Sequence, residues 1–291
     1  VDRKIAGLSF RGGHKSNFCF CLLEFYQENN RWVVSEFYDS GSAKNKDDDI
    51  VVAKWIENKG IDILTVDFPR TFPPCHGCKE VCSGIASCSV ENVKIVTSQI
   101  KTLLENSDSS ERLTKSFKRK LKKGFVPYWN RGIDFYIWNN YYDQLLDFFN
   151  SSFNSFGHSS YIVFSRFNFI ERMISSRVKI AEADNKILLI ELLRQKILNN
   201  REVLGLSSFD GVDSARLNII EKLEKNFNIF IYDHDLNSIA KNQRYFDAFL
   251  MSISGLLLSE KRTSELPAWC GTDLFIIPEF IWKSPIMEIN R

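Results

Sequence analysis

Long apolar runs are missing from this chain of 291 residues. Without a stretch of about 18 consecutive apolar side chains, a membrane-spanning helix and a membrane partner are not expected. The opening VDRKIAGLSF has no basic segment, apolar stretch or small-residue cleavage site of the kind a secretory signal carries, so the expected location is cytoplasmic. A dominant charge sign is missing too. The 38 Lys and Arg nearly cancel the 36 Asp and Glu, so the net +2 selects no partner and local clusters must be read instead. Histidine is scarce: His14 follows the hairpin glycines as a turn residue, and His158 and His234 have no spacing partner that would form a triad or a zinc-binding helix. A glycine-rich phosphate loop with its lysine and a dinucleotide fingerprint are both absent, which argues against a P-loop nucleotide enzyme and leaves no sign of a dinucleotide-dependent one. No internal repeat or low-complexity segment interrupts the chain.

What is present suffices for a globular protein, since 44% hydrophobic composition over this length can bury one large core or two modest ones without staples. KIAGLSF, SNFCFCLLEFY and RWVVSEFYD, separated by RGGHK and QENN, read as three consecutive antiparallel strands. Asp47 to Asp49 are N-cap candidates for the helix IVVAKWIENKG, which Gly60 would end. IDILTVDFP follows as a strand apolar enough to be buried on both faces in a parallel position. Further on, NVKIVTSQIKTLL and NKILLIELLRQKIL have helical period, VKIAEAD reads as a strand, and HSSYIVFSRFNFIERMISSR is ambiguous. VDSARLNIIEKLEKNF is an amphipathic helix with Leu217, Ile220 and Leu223 on one face. RYFDAFLMSISGLLLSEKR is a long apolar helix, and DLFIIPE a last short strand. The β-β-β-α-β opening, with a helix crossing from an antiparallel meander to a parallel strand, is the start of a ribonuclease H-like α/β fold.

Cysteine is unevenly placed: of 7, four crowd into TVDFPRTFPPCHGCKEVCSGIASC, residues 65–88. Cys75, Cys78, Cys82 and Cys88 could close a tetrahedral Zn2+ site, or, less favoured, hold an iron–sulfur cluster. Such a site would staple a loop with little apolar content. The competing readings are reduced thiols or local disulfides in a Pro/Gly loop, with His76 a bystander or a substitute for one cysteine. Cys19 and Cys21 lie in an apolar strand, and Cys270 reads as a small buried hydrophobe.

The segment ERLTKSFKRKLKKGFVPYWNRGIDFYIW concentrates Arg112, Lys115, Lys118, Arg119, Lys120, Lys122 and Lys123 ahead of Tyr128, Trp129 and Arg131. Basic side chains track a phosphate backbone and aromatic faces stack unpaired bases, which makes a DNA or RNA contact one reading. The other is a solvated helix face followed by core aromatics, and most of the aromatics are expected in the core.

IAGLSFRGG, VDFPRTFPPCHGC with CSGIASC, KGFVPYWNRGIDFY, DAFLMSISGLL and DLFIIPE together resemble an uncharacterised family of nucleases inferred to have a ribonuclease H-like fold, domain of unknown function 429. The resemblance spans about residues 4–279 and is most specific in the cysteine loop and the Pro-Tyr segment. It implies a single domain over residues 1–291: a mixed sheet of three antiparallel and then parallel strands flanked by helices, with residues 69–145 an insertion carrying the Cys-rich loop and the basic and aromatic segment. It also implies phosphodiester hydrolysis assisted by Mg2+ or Mn2+, held by carboxylates converging at the active edge of the sheet. Asp67 and Asp247 would be ligands, with Asp134 and Glu182 as further candidates. The sequence departs from the family's pattern at two positions. Ser9 stands where strand 1 usually carries an acid, and Arg244 stands one turn ahead of Asp247, where another acid is common and where an arginine could grip phosphate. Two functions follow as expectations: a divalent-metal-dependent nuclease, or a degenerate scaffold that binds nucleic acid or a protein partner without turnover.

Overall fold

The computed structural model describes residues 2–11, 17–40, 48–106, 113–154, 160–175, 177–208, 210–271 and 274–280. His14, Asp47, Arg112 and His158 lie outside the described residues.

The expected meander forms from β1 (Arg3–Arg11), β2 (Asn17–Tyr26) and β3 (Arg31–Asp39), each antiparallel to its neighbour. Helix α1 (Asp48–Lys59) ends at Gly60, whose φ of 63° suits a residue without a Cβ. The chain then enters β4 (Ile63–Val66), parallel to β1. Helices α2 (Glu91–Asn106), α3 (Lys115–Lys122), α4 (Gly132–Phe149) and α5 (Ser160–Glu171) precede β5 (Lys179–Glu182), which is parallel to β4. The ambiguous segment before β5 is helical over Ser160–Glu171 and leaves the helix through a turn after it. Then come α6 (Asn185–Arg194), α7 (Asn200–Gly205), α8 (Val212–Phe227), a two-residue β6 (Ile229–Phe230) parallel to β3, α9 (Asp233–Lys241) and α10 (Gln243–Ser259). The six strands run in the order β5-β4-β1-β2-β3-β6. The protein is thus α/β, with a mixed sheet between helical layers.

Alternation along the strands builds both layers. Ile5, Cys19, Cys21, Leu23 and Val34 face a core shared with α8, α9 and α10, whereas Ala6, Leu8, Phe18, Phe20 and Leu22 face α1 and α5. In α8 the expected stripe holds, with Ile220 and Leu223 buried and Leu217 packed at the margin. A third cluster, built from α2, α3 and one face of α4 around Val96, Phe117 and Trp138, gives residues 91–145 an apolar centre of their own. The opposite face of α4, with Ile133, Ile137 and Tyr141, packs on Ile187 and Ile190 of α6. The expected insertion boundary at residue 145 therefore falls inside α4, which belongs to both units.

DLFIIPE does not extend the sheet as a strand. Among the described residues it contributes one parallel bridge from Phe275 to Glu182 and one antiparallel bridge from Pro278 to Thr263. Pro278 has no N–H to donate to a ladder, which keeps the pairing short.

Two glycines set how closely α10 approaches the sheet. A Cβ on Gly7 would overlap the backbone of Ala248 and Ser252, and one on Gly255 would stand 2.5 Å from Thr65 Oγ1 and 2.6 Å from Ile5 Cγ2. Neither backbone can yield without lifting the helix. Gly7→Ala is accordingly expected to destabilise the protein by about 3 kcal/mol or more, at the upper end of overpacking costs, read as a lower midpoint in denaturant unfolding. A midpoint within error of the parent would show that α10 can move away from β1.

Candidate functional site

Register brings the chemistry together. Val66 pairs with Leu8 on one side and Glu182 on the other, so the carboxyl ends of β1, β4 and β5 finish level, and Ser9, Asp67 and Asp184 gather at one edge. Asp67 accepts from the Ser9 hydroxyl (Ser9 Oγ to Asp67 Oδ2, 3.2 Å) and from the Phe10 backbone N–H (3.2 Å). Position 9 thus faces Asp67, although Ser9 itself is buried.

Asp247 reaches the same edge from the first turns of α10. It pairs with Arg11 at 2.8 Å, accepts from Gln243 Nε2 at 2.7 Å one turn earlier, and lies 3.4 Å from Asn185 Nδ2. Asp184 caps α6, its Oδ1 accepting from Lys186 N (2.8 Å) and Ile187 N (3.2 Å).

These groups line two adjoining cavities of about 190 and 360 Å3. Asp67, Asp184 and Lys186 belong to both, while Arg11 and Asp247 belong to the larger. All three carboxyls are pushed up from their ordinary range, chiefly by burial. Asp67 rises to about 7, with Asp247 adding repulsion against the lowering pull of the Phe10 N–H, Ser9 and Arg11. Its residue keeps an exposed face in the cleft, so water there offsets part of the push.

The other two acids named from the sequence are engaged elsewhere. Glu182 takes both guanidinium nitrogens of Arg131, at 2.6 and 2.7 Å, and the Arg70 backbone N–H at 2.9 Å. Asp134, fully buried, accepts from the Arg131 backbone N–H at 2.7 Å and caps α4. Both carboxylates therefore serve an internal ion-pair network instead of standing as free metal ligands, although Glu182 still borders the smaller cavity. Arg131, expected to contact nucleic acid, is 2% exposed and committed to that network.

On α3, Lys115, Arg119 and Lys122 are exposed, as is Lys123 just beyond it, and Lys118 is half-buried. Lys120 lies 4.4 Å from the Trp138 ring centre, and burial, with Lys123 beside it, lowers its pKa. Phe125, Phe135 and Trp138 are buried as expected, but Tyr128 and Trp129 remain 69% and 47% exposed beside the basic helix. Arg244 bonds Asn17 at 3.2 Å, away from the lining of either cavity.

All seven cysteines are free thiols. Cys78 N–H bonds Cys75 C=O at 3.4 Å in a tight turn, and Cys75 N–H bonds Pro127 C=O at 3.0 Å, tying the loop to the Tyr128–Trp129 turn. Burial pushes the Cys75 thiol up, and Cys88, Cys78 and Cys82 add to it, so the four thiols feel one another. Among the described residues, no group of three or more His, Cys, Asp or Glu stands close enough to hold a metal ion, in the loop or at the sheet edge. Burial holds the Cys270 thiol up at about 12, in keeping with a small hydrophobe. His76 stacks on Phe72, their ring centres 3.9 Å apart.

Asp184, Lys186, Asn185 and Arg11 are the site residues that sequence reading missed. The available signal for Asp184 was its place as an acid directly before a helix pattern, which marks an N-cap just past a buried strand. No protein-family model, no curated protein and no solved structure matches the chain.

Replacing Arg131 strands Glu182 and Asp134 in the interior. Arg131→Ala should cost about 3–5 kcal/mol, as expected when one partner of a buried ion pair is removed, and chemical denaturation would measure it. A loss under about 1 kcal/mol would mean that water reaches the pair and screens it.

Proposed function

We propose that the protein hydrolyses nucleic-acid phosphodiesters with the help of a divalent cation held at the carboxyl edge of the sheet. The observation that supports this reading is that Asp67 and Asp184 line both cavities at their junction, where burial makes their negative charge costly and a cation would relieve it. The meander, the crossing helix and the parallel β4 agree with the ribonuclease H-like resemblance, which rests on the quoted segments alone.

The donor chemistry fits one hydrated Mg2+ or Mn2+ better than a closed pair. Mg2+ commonly uses one or two carboxylates and completes its octahedron with water and substrate phosphate. Asp67 and Asp184, shared by both cavities, would hold it. When bound, the cation would polarise the phosphate and assist attack by water. Lys186, at the same junction, places positive charge beside an incoming phosphate, and Arg11 orients Asp247. Lys118, Arg119, Lys122 and Lys123, with Tyr128 and Trp129 beside them, would supply a distal strand contact whose affinity falls with salt. At Cys75, Cys78, Cys82 and Cys88, soft thiolates suit Zn2+ ahead of an iron–sulfur cluster, provided the exposed Cys78 and Cys82 draw inward.

Ser9 and the Arg11–Asp247 pair favour a second reading, a scaffold that binds nucleic acid or protein without turnover, because one position lacks the acid's charge and another acid is already neutralised.

A labelled panel of single- and double-stranded DNA, RNA and hybrid, incubated with Mn2+ or Mg2+, decides between them. Cutting by the parent that falls at least about 100-fold in Asp67→Ala is expected, on the scale of losing electrostatic stabilisation of the transition state. No cutting of any substrate, together with salt-sensitive binding, would transfer the assignment to the scaffold.

Mn2+ and the proton compete for Asp67, whose carboxyl sits as high as about 7. Calorimetric Mn2+ affinity should therefore rise with pH, by up to about tenfold per unit below that value, and level off above it. A flat profile from acid to neutral pH would remove Asp67 as the ligand.

A further inference from the structure

The lining of the larger cavity is part charged and part apolar. Arg11, Asp67, Asp184, Lys186 and Asp247 supply the charged groups. The rest of the wall is largely the ring and aliphatic surface of Phe149, Leu189, Leu206, Phe246 and Leu250, with Ser207 exposed beside Leu206. A pure phosphate site has no use for the apolar wall, and a site for an apolar ligand has none for five charged groups. Asn185, also in the lining, turns its Nδ2 to Asp247, while its Oδ1, closed off from solvent, has no hydrogen-bond partner among the described residues.

We propose that this cavity binds one nucleoside 5′- or 3′-phosphate unit, with the base against the apolar wall and the phosphate toward Asp67, Asp184 and Lys186. The inference rests on the cation reading above, because Asp67 and Asp184 would repel a phosphate unless a divalent cation stood between them. At about 360 Å3 the space is near the lower end of small-molecule sites, which run from about 300 to 1,000 Å3; it suits a single nucleoside and leaves no room for a base pair. The smaller cavity, across the shared Asp67, Asp184 and Lys186, carries Ser151, Ser152 and Asn154 and would receive the phosphate-linked remainder of a strand. The same chemistry is offered by the end of a nucleic-acid chain and by a free mononucleotide.

Titration calorimetry of the full chain with nucleoside monophosphates, with and without Mn2+, tests the proposal. Binding should tighten at least tenfold with Mn2+, and should weaken at least tenfold in Leu206→Trp, which places a larger ring in the lining. Ser207→Trp, at an exposed position on the same rim, should weaken it in the same direction without adding a buried side chain. Failure of the parent to bind any mononucleotide at saturating Mn2+, or equal binding by the parent and both tryptophan variants, would overturn the inference. Mn2+ titrated alone separates the two levels: Mn2+ binding without mononucleotide binding sinks the pocket and spares the cation site. Mononucleotide binding indifferent to both Mn2+ and Asp67→Ala sinks this cation-bridged placement together with the cation site. Linear and circular single strands then identify the source of the ligand. Binding of linear strands alone assigns the pocket to a chain end, and binding of mononucleotides but of neither strand assigns it to the free nucleotide. Equal binding of circles and linear strands, competed by neither mononucleotide nor the tryptophan variants, would place recognition outside the cavity and overturn the proposal.

Discussion

The close seating of α10 on the sheet is the constraint from which the rest follows. Gly7 removes a side chain from β1 where the backbone of Ala248 and Ser252 comes down, and Gly255 removes one from the helix where Ile5 and Thr65 come up. With both positions bare, the helix lies against β1 and β4, and its first turns are delivered to the carboxyl edge of the sheet. Asp247 comes near enough to Asp67 to raise its proton affinity only because of that seating. A helix lifted by one methyl layer would weaken the repulsion that Asp247 adds to the burial of Asp67.

The same α/β framework gives its acids two different fates. Glu182 sits at the end of β5, a neighbour of Asp67 by register, yet a bidentate guanidinium meets it and fixes it. That pairing links α4, and with it the lobe of α2 and α3, to the sheet edge. Asp184, two residues further on, has passed beyond the strand and accepts from the backbone N–H groups of Lys186 and Ile187, and it lines the cleft. An internal counter-ion makes an acid structural; a solvent-facing edge leaves it with a charge still to be balanced.

Much of this was legible in the sequence because it depends on local pattern. Alternation in SNFCFCLLEFY, the glycine after IVVAKWIENK, and the helical period of VDSARLNIIEKLEKNF each report on neighbours a few residues away, and the structure follows them. Asp67 and Asp247 were singled out by the resemblance and not by local pattern, and the structure places both at the lining of one cavity. The partnerships were not legible. Nothing within residues 131–134 announces that Arg131 will turn inward to Glu182, 51 positions later. The basic surroundings of Arg131 pointed to solvent, and burial overrode them. Tyr128 and Trp129 show the converse, since a composition rich in aromatics predicted burial for side chains that the Pro127 turn holds outward. DLFIIPE read as a strand from its apolar run, but its partner strand offers it only one bridge.

Ser9 also acquires a physical meaning from its surroundings. An acid at that position would bring a further negative charge beside Asp67 and Asp247, and several carboxylates crowded together normally require two divalent cations. With a hydroxyl there instead, Asp67 gains a neutral hydrogen-bond donor, and Arg11 removes the charge of Asp247 from the balance. Two carboxylates, Asp67 and Asp184, then remain to be neutralised at the junction of the cavities, together with the lysine beside them. Under the proposed reading, one hydrated divalent cation needs no more than these two carboxylates. On that reading, the hydroxyl at position 9 and the Arg11 pair both reduce the demand for metal, while Lys186 keeps a cation beside an incoming phosphate.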